Sequence, residues 1–437
     1  MIWLLFILIV ILLYVNYMMS YKDLFNPAVV LMGMFVLFSF FCCIANLCIG
    51  VDIESGKTFV VILSGLIIFS FVNYILRVPH KLSTMVIKNK ISPIYGILGL
   101  IITVLLIYVN YTYIMNFSAA YGFGSDFFEA MVKYKVIMTF QDANSILIVS
   151  PWYRTLLTLI VPCYAYLFMY IFMKKKIIEN KWSMIYGGNI FLYIVYSLMG
   201  GDRSETFRII TALIFFWYIF YREKNKGYFS VMHIVTKIIA LMSIISFFFI
   251  SFIYVIGRSQ NDMDMEAVLM ALFIYAGAPI FNLDIYLQNP WSQTYGIFGE
   301  LTFIKFINFL GAKLEYSAFI YALDLPFLSY QNYDLGNVYT TFYAFIYDFG
   351  FMGVVVLTGI MAVVCVWLYN KVNYVDIMSN RISMYVICYA YLLNDIVMLP
   401  FSNRFYECTF NIGTWYKWVM LFVLVKIINV SSKRQSS

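Results

Sequence analysis

Residues 92–112 read SPIYGILGLIITVLLIYVNYT, a run without one charged side chain. Crossing the ~30 Å hydrocarbon core of a bilayer takes about 20 predominantly apolar residues. A helix of that length on a soluble protein would show a charged face. The run therefore predicts a transmembrane helix. Reading outward, comparable runs occupy 1–20, 27–49, 58–76, 152–173, 182–200, 206–221, 234–256, 345–369, 382–400 and 413–430, about eleven spans in all.

Composition agrees. The 437 residues are 63% hydrophobic and 12% charged, with a mean hydropathy of +0.85. Soluble domains are about half apolar and about a quarter charged. The polar side chains here are too few to cover a water-soluble globule of this size. The predicted fold class is all-α integral membrane, with 1–437 as a single polytopic domain. The apolar segment Met1–Met19 lacks a basic leader and a small-residue cleavage site, so it reads as a retained helix.

Basic residues gather in alternate connections: Arg77 to Lys90, Lys174 to Lys181, Tyr221 to Lys226, Lys371 to Arg381, and the tail with Lys433 and Arg434. The positive-inside rule places these in the cytoplasm, together with the C-terminus. The net charge of +7 is thus explained by topology and calls for no nucleic acid. Acids collect on the opposite side, which also receives the long connections. An outer loop at 113–151 carries an amphipathic stretch over Asp126 to Phe140. A large outer loop at 258–338 holds apolar pieces, Ala267 to Leu287 and Phe303 to Leu310, broken by Gly277, Pro279 and Pro290. These read as amphipathic or re-entrant helices. Bilayer lipid is the first partner the sequence implies.

Several chemistries are excluded. The two histidines, His80 and His233, sit near predicted inner boundaries, and no His/Cys cluster has metal-ligand spacing. No metal or cofactor site is expected. Gly56-Lys57-Thr58 lacks the first glycine of a phosphate loop, since Val51 stands there. No GxSxG elbow occurs. Most of the seven cysteines fall inside apolar runs and read as small core residues.

What remains is polar chemistry at outer helix ends. A charge at mid-membrane costs roughly 2.5–3.5 kcal/mol on insertion scales, so such residues face a cavity or a partner. Gly200-Gly201-Asp202-Arg203-Ser204-Glu205 opens a helix whose N-terminus faces outward. Free N–H groups favour an anion there, and Arg203 adds a planar donor fork suited to phosphate. The same residues also suit a tight turn with Arg203 paired to an acid. Arg258 follows Gly257 just before Asp262, Asp264 and Glu266, where it serves either a ligand or those acids. In Asn337-Val338-Tyr339-Thr340 and onward to Asp348-Phe349-Gly350, a helix would put Thr341, Ala344 and Asp348 on one face. Asn337, Tyr339, Thr340 and Tyr347 are side chains suited to sugar contacts. Asp348 suits either a general base or a structural partner of an arginine. Arg404, in the last outer loop near Asn394 and Asp395, is a further candidate.

Two of these stretches carry a family resemblance. Gly201-Asp202-Arg203-Ser204 is similar to the Gly/Ser-Arg-Ser element that opens a membrane helix in the O-antigen polymerase family. Asn337-Val338-Tyr339-Thr340, with Asp348-Phe349-Gly350 and Gly353, resembles that family's Asn-x-Tyr-Thr stretch followed by Asp-Phe-Gly-x-x-Gly. The resemblance implies a GT-C-like membrane glycosyltransferase of the bacterial inner membrane. Such an enzyme polymerises undecaprenyl-diphosphate-linked oligosaccharide repeat units into O-antigen or capsule. It implies diphosphate binding by Arg203, Arg258 and Arg404, and a carboxylate, Asp348 or Glu205, that deprotonates the acceptor hydroxyl. A membrane protein that regulates chain length is a further candidate partner, and no nucleotide sugar is needed.

Two alternatives share the lipid-linked substrate. An O-antigen ligase usually places a histidine in the outer loop, and neither histidine here lies outside. A flippase would line a central path with charge and show two similar halves. The polymerase reading predicts that Arg203→Ala and Arg258→Ala each abolish polymer while the chain still inserts. Full-length polymer from both variants at normal expression would remove these arginines from the site.

Overall fold

A computed structural model describes residues 1–81, 91–122, 126–140, 150–200, 204–227, 236, 265–321, 325–330, 333–379 and 381–434. Long uncharged runs leave the backbone one way to satisfy its N–H and C=O groups without water, which is to hydrogen-bond them within a helix. Helices accordingly cover every predicted span that lies among the described residues. They are α1 (Ile2–Met19), α2 (Pro27–Ile49), α3 (Gly56–Leu76), α4 (Ile94–Ala120), α5 (Phe127–Phe140), α6 (Trp152–Ile177), α7 (Met184–Met199) and α8 (Ser204–Lys224). After the residues outside the description come α9 (Met265–Gln288), α10 (Ile304–Leu314), the strands β1 (Leu328–Tyr330) and β2 (Tyr333–Gly336), α11 (Thr341–Tyr374), α12 (Met384–Val397), α13 (Arg404–Thr409) and α14 (Ile412–Arg434). The span predicted at 234–256 lies outside the described residues except for Thr236.

Seven of these helices, α1 to α4, α6, α11 and α14, are long and apolar enough to cross a membrane. The chain is therefore a multi-pass, all-α membrane protein. Helices α7 and α12 are apolar but shorter, at 16 and 14 residues. Helix α8 carries Glu205, Arg208, Arg222 and Glu223 within its length.

The chain forms two compact units. The first comprises Met1–His80, Met263–Tyr374 and Leu392–Thr414, and the second Lys81–Asp262, Val375–Tyr391 and Trp415–Ser437. In the first unit small residues let helices approach closely. Gly65 of α3 lies against the ring of Phe342, which stacks on Phe35 of α2 with centroids 5.6 Å apart. A Cβ on Gly277 of α9 would lie 3.2 Å from the Cys42 backbone, and the Cys42 thiol donates to the Gly277 carbonyl at 3.1 Å. Asp284, 2% exposed, accepts from the backbone N–H groups of Glu54 and Ser55, from the Thr58 hydroxyl and from Gln288. Its carboxylate fastens α9 to the start of α3, where the helix dipole favours negative charge.

These contacts correct the sequence reading of the large loop. Gly277 and Pro279 do not break an interfacial piece. Helix α9 runs through both, and Ile280, Phe281, Asn282 and Leu283 are buried. The glycine serves close packing on α2. The short antiparallel pair of β1 and β2 follows, and Asn282 donates to the carbonyls of Gly336 and Val338 to hold β2 on α9. Helix α4 also continues to Ala120, into the stretch read as loop from residue 113.

Helix α11 is kinked at Gly350, whose φ of 63° and ψ of −160° suit glycine alone. Three residues on, a Cβ at Gly353 would collide with the Phe345 carbonyl and the Phe349 side chain.

In the second unit Gly96 and Gly99 of α4 admit Tyr186 and Phe168. Asn189 of α7 donates to the Gly96 carbonyl at 2.9 Å, and the hydroxyls of Thr103 and Tyr164 meet at 2.7 Å. Helix α5 packs on α4, with Ala130, Met131 and Ile137 buried.

Gly350→Ala forces a side chain into a backbone region it rarely enters and should cost about 1–3 kcal/mol. Thermal melts of the purified protein in detergent check this, and an unchanged midpoint would deny that the kink needs glycine.

Candidate functional site

In the first unit the predicted residues build a fastening of loop to helix. Asp348, half-buried in the last turn before the kink, accepts from the backbone N–H of Thr302 at 2.6 Å and of Leu301 at 3.3 Å. Neighbouring Tyr347 donates its hydroxyl to Glu300 at 2.6 Å. Glu300 is fully buried and also accepts from the backbone N–H groups of Thr294, Tyr295 and Ile297. Burial would raise its carboxyl, but these four donors hold it below the ordinary glutamate value. Residues 294–302 are thus fastened to α11 by two carboxylates.

The sugar-contact candidates separate. Tyr339 is 2% exposed, stacks on Tyr343 at 4.2 Å and donates to the Pro326 carbonyl. Thr340 is buried, and its hydroxyl has no hydrogen-bond partner among the described residues. Asn337 is exposed. Arg404 opens α13 and lies 3.9 Å from Glu407. Burial pushes the Glu407 carboxyl up, against the pull of Arg404 and Lys305.

Arg203 and Arg258 lie outside the described residues, as do Gly201 and Asp202. Glu205 is in the second unit, in the first turn of α8, with a different set of neighbours. It accepts from the Tyr193 hydroxyl of α7 at 2.6 Å and lies 3.7 Å from the Arg208 guanidinium. Arg208 is 6% exposed. It donates to the Tyr391 carbonyl at 3.2 Å and sits 4.2 Å from the centroid of that ring. Lys417 of α14 approaches the same ring at 6.0 Å and is within electrostatic reach of Glu205 and Arg208.

A third cation adjoins. Arg154, in the first turn of α6, donates from Nε and Nη2 to the Asn110 side-chain oxygen at 3.1 and 2.9 Å. It also donates to Ser150 and Tyr134 and lies 3.9 Å over the Tyr113 ring. All of these partners are neutral. Tyr196, stacked on Tyr193, feels both Arg154 and Glu205.

Among the described residues this group holds three cations and one carboxylate, set among aromatic rings at the N-terminal ends of α6, α8 and α14. Helix N-termini and excess guanidinium charge both favour a bound anion. The group has the makings of a phosphate or diphosphate seat. No set of His, Cys, Asp or Glu side chains among the described residues is placed to hold a metal ion.

Sequence reasoning passed over Arg154, Arg208 and Lys417. A signal existed: each is a charge inside a predominantly apolar run, and such a charge marks a partner or a ligand.

A charge-assisted hydrogen bond contributes about 1.5–3 kcal/mol. Asp348→Asn replaces one accepting oxygen with a donor, so the amides of Leu301 and Thr302 should exchange with deuterium about tenfold faster. Unchanged protection would show that the carboxylate does not hold this loop. No protein-family model, curated protein or solved structure matches the chain.

Proposed function

We propose that the chain is a GT-C-like glycosyltransferase that polymerises undecaprenyl-diphosphate-linked oligosaccharide repeat units at the outer face of the bacterial inner membrane. In this reading the C-terminus is cytoplasmic and the spans number about eleven. The observation that carries it is the cationic group of Arg154, Arg208 and Lys417 around Glu205, within apolar helices. A group with more cations than carboxylates among the described residues suits a substrate that brings negative charge and a lipid anchor. The Gly-Asp-Arg-Ser and Asp-Phe-Gly-x-x-Gly resemblances support the same class.

The reaction requires three things. The donor's diphosphate must be held, the charge that develops on it as the anomeric C–O bond breaks must be stabilised, and the acceptor hydroxyl must lose its proton. Arg154, Arg208 and Lys417 meet the first two by preorganised positive charge. Glu205 stands beside these cations and is the better placed base, whereas the oxygens of Asp348 accept backbone N–H groups. On attack a bond forms between the acceptor oxygen and the anomeric carbon. The diphosphate leaves on its lipid, and the hydroxyl proton passes to the carboxylate.

Deleting the gene in the native host and resolving the surface glycolipids on a gel tests this reading. A lipid core bearing one repeat unit and no ladder is expected, and Arg154→Ala or Glu205→Gln should reproduce it at normal protein levels. An unchanged ladder overturns the proposal. Long polymer stranded on the carrier lipid would instead make the protein a ligase, and absence of exported polymer a flippase.

A further inference from the structure

The turn from α1 into α2 is built with strain. Tyr21 and Lys22 are both left-handed, with φ of 55° and 59°, a conformation that side chains other than glycine's rarely adopt. Buried hydrogen bonds hold the turn there. Asn73 of α3 donates to the Ser20 hydroxyl at 3.1 Å, and Asn26 donates to Asn73 at 3.0 Å. The turn so held leaves the Tyr21 ring beside Arg77, the residue that ends α3. Such strain persists only where the surroundings over-determine it, and it clusters at ligand clamps.

Arg77 is held from the other side. Asn370 of α11 donates to the Leu76 carbonyl at 2.6 Å and accepts from the Val78 N–H at 3.2 Å, and Asn373 donates to the Val78 carbonyl at 3.3 Å. The backbone on both sides of Arg77 is thus tied to α11. Its guanidinium lies over two rings, 5.3 Å from the centroid of Tyr21 and 4.9 Å from that of Tyr74. Those rings are 58% and 53% exposed. The guanidinium makes no hydrogen bond or ion pair among the described residues, and its Nη1 is buried. The acid of the turn, Asp23, accepts instead from the Tyr369 hydroxyl at 2.6 Å and the Phe25 N–H at 3.2 Å. A guanidinium only donates, through a planar fork that matches phosphate. A donor fork set on two rings and lacking an acceptor calls for an anion.

We propose that Arg77, Tyr21 and Tyr74 form a headgroup site for an anionic phospholipid of the bilayer, with the lipid phosphate on the guanidinium. Depth identifies the source of the phosphate. Helix α3 is long and apolar enough to cross a membrane, and Arg77 follows its last residue, which is where lipid headgroups begin. Exposed tyrosines beside the arginine suit that level. Charge selects among lipids. Lys22 adjoins in the turn, and the sequence from 78 to 90 adds Lys81, Lys88 and Lys90 and no acid. A zwitterionic headgroup would bring an ammonium to these cations, whereas phosphatidylglycerol brings negative charge alone. The site belongs to the first unit and requires only that α3 spans, so it is independent of the reaction proposed above.

A phosphatidylglycerol with a diazirine beside its headgroup tests this on the full-length protein in phosphatidylcholine nanodiscs. Photolabel is expected on the peptides that hold Tyr21 and Arg77. Unlabelled phosphatidylglycerol should compete it away, whereas phosphatidylethanolamine at the same mole fraction and free inorganic phosphate should not. Arg77→Gln removes the charge-assisted contact and should cut labelling of the Tyr21 peptide by about tenfold. Tyr21→Gly removes one ring at a position where glycine is the less strained residue. The loss of about threefold expected on the Arg77 peptide therefore reports the site and not the fold. Label only elsewhere, equal competition by phosphatidylethanolamine, displacement by inorganic phosphate, or undiminished labelling in either variant overturns the assignment. Should Arg77→Gln fail to fold, Tyr21→Gly decides alone.

Discussion

Arg208 is a guanidinium taken almost wholly out of solvent, and its requirements organise the second unit. Removing such an ion from water costs several kcal/mol unless neighbours replace the hydration. The replacements come from several helices. Glu205 lies one turn before it on α8, and the Tyr391 ring and carbonyl lie on α12. The Tyr193 hydroxyl of α7 then holds Glu205 in place. Lys417 brings a second positive charge to the same ring. Moving any one of these helices would strand a charge among apolar side chains, so the charges fix the helices as much as the helices place the charges.

The first unit uses its carboxylates differently. Asp284, Glu300 and Asp348 each receive several donors, most of them backbone N–H groups at a helix start or a turn. They substitute for the helical hydrogen bonds that loops and helix ends lack. Carboxylates so saturated are fasteners. Glu205 instead takes one hydroxyl donor, from Tyr193, and stands beside the cations Arg208 and Lys417. The contrast in hydrogen-bond bookkeeping sets Glu205 apart from the other buried carboxylates.

The spans were legible in the sequence because an uncharged run such as 92–112 has no alternative to a helix in lipid. Boundaries and special cases were less so. Pro279 and Gly277 carry the signature of a broken helix, yet α9 continues through them, since a glycine needed for close approach to Cys42 reads the same as one needed for a turn. Glu205 was singled out in the sequence by its place at a helix start. Arg154, Arg208 and Lys417 were not, because one-dimensional reading assigns a charge near the end of an apolar run to the interface. Only packing shows that Arg208 and Lys417 converge on Tyr391 from helices far apart in the chain.

The Asp-Phe-Gly-x-x-Gly stretch shows what such a motif encodes. Asp348 holds the backbone of the preceding loop, Phe349 packs against Phe298 with centroids 4.8 Å apart, and Gly350 takes a conformation other residues avoid. Gly353 leaves room for the Phe345 carbonyl displaced by the bend. Every residue the motif names is thus accounted for by the turn from loop into kinked helix. A pattern whose members all serve backbone geometry reports on the turn it builds and not on chemistry. The meeting of Arg208 and Lys417 at Tyr391 is different in kind, since no rule of chain geometry asks for two cations on one ring.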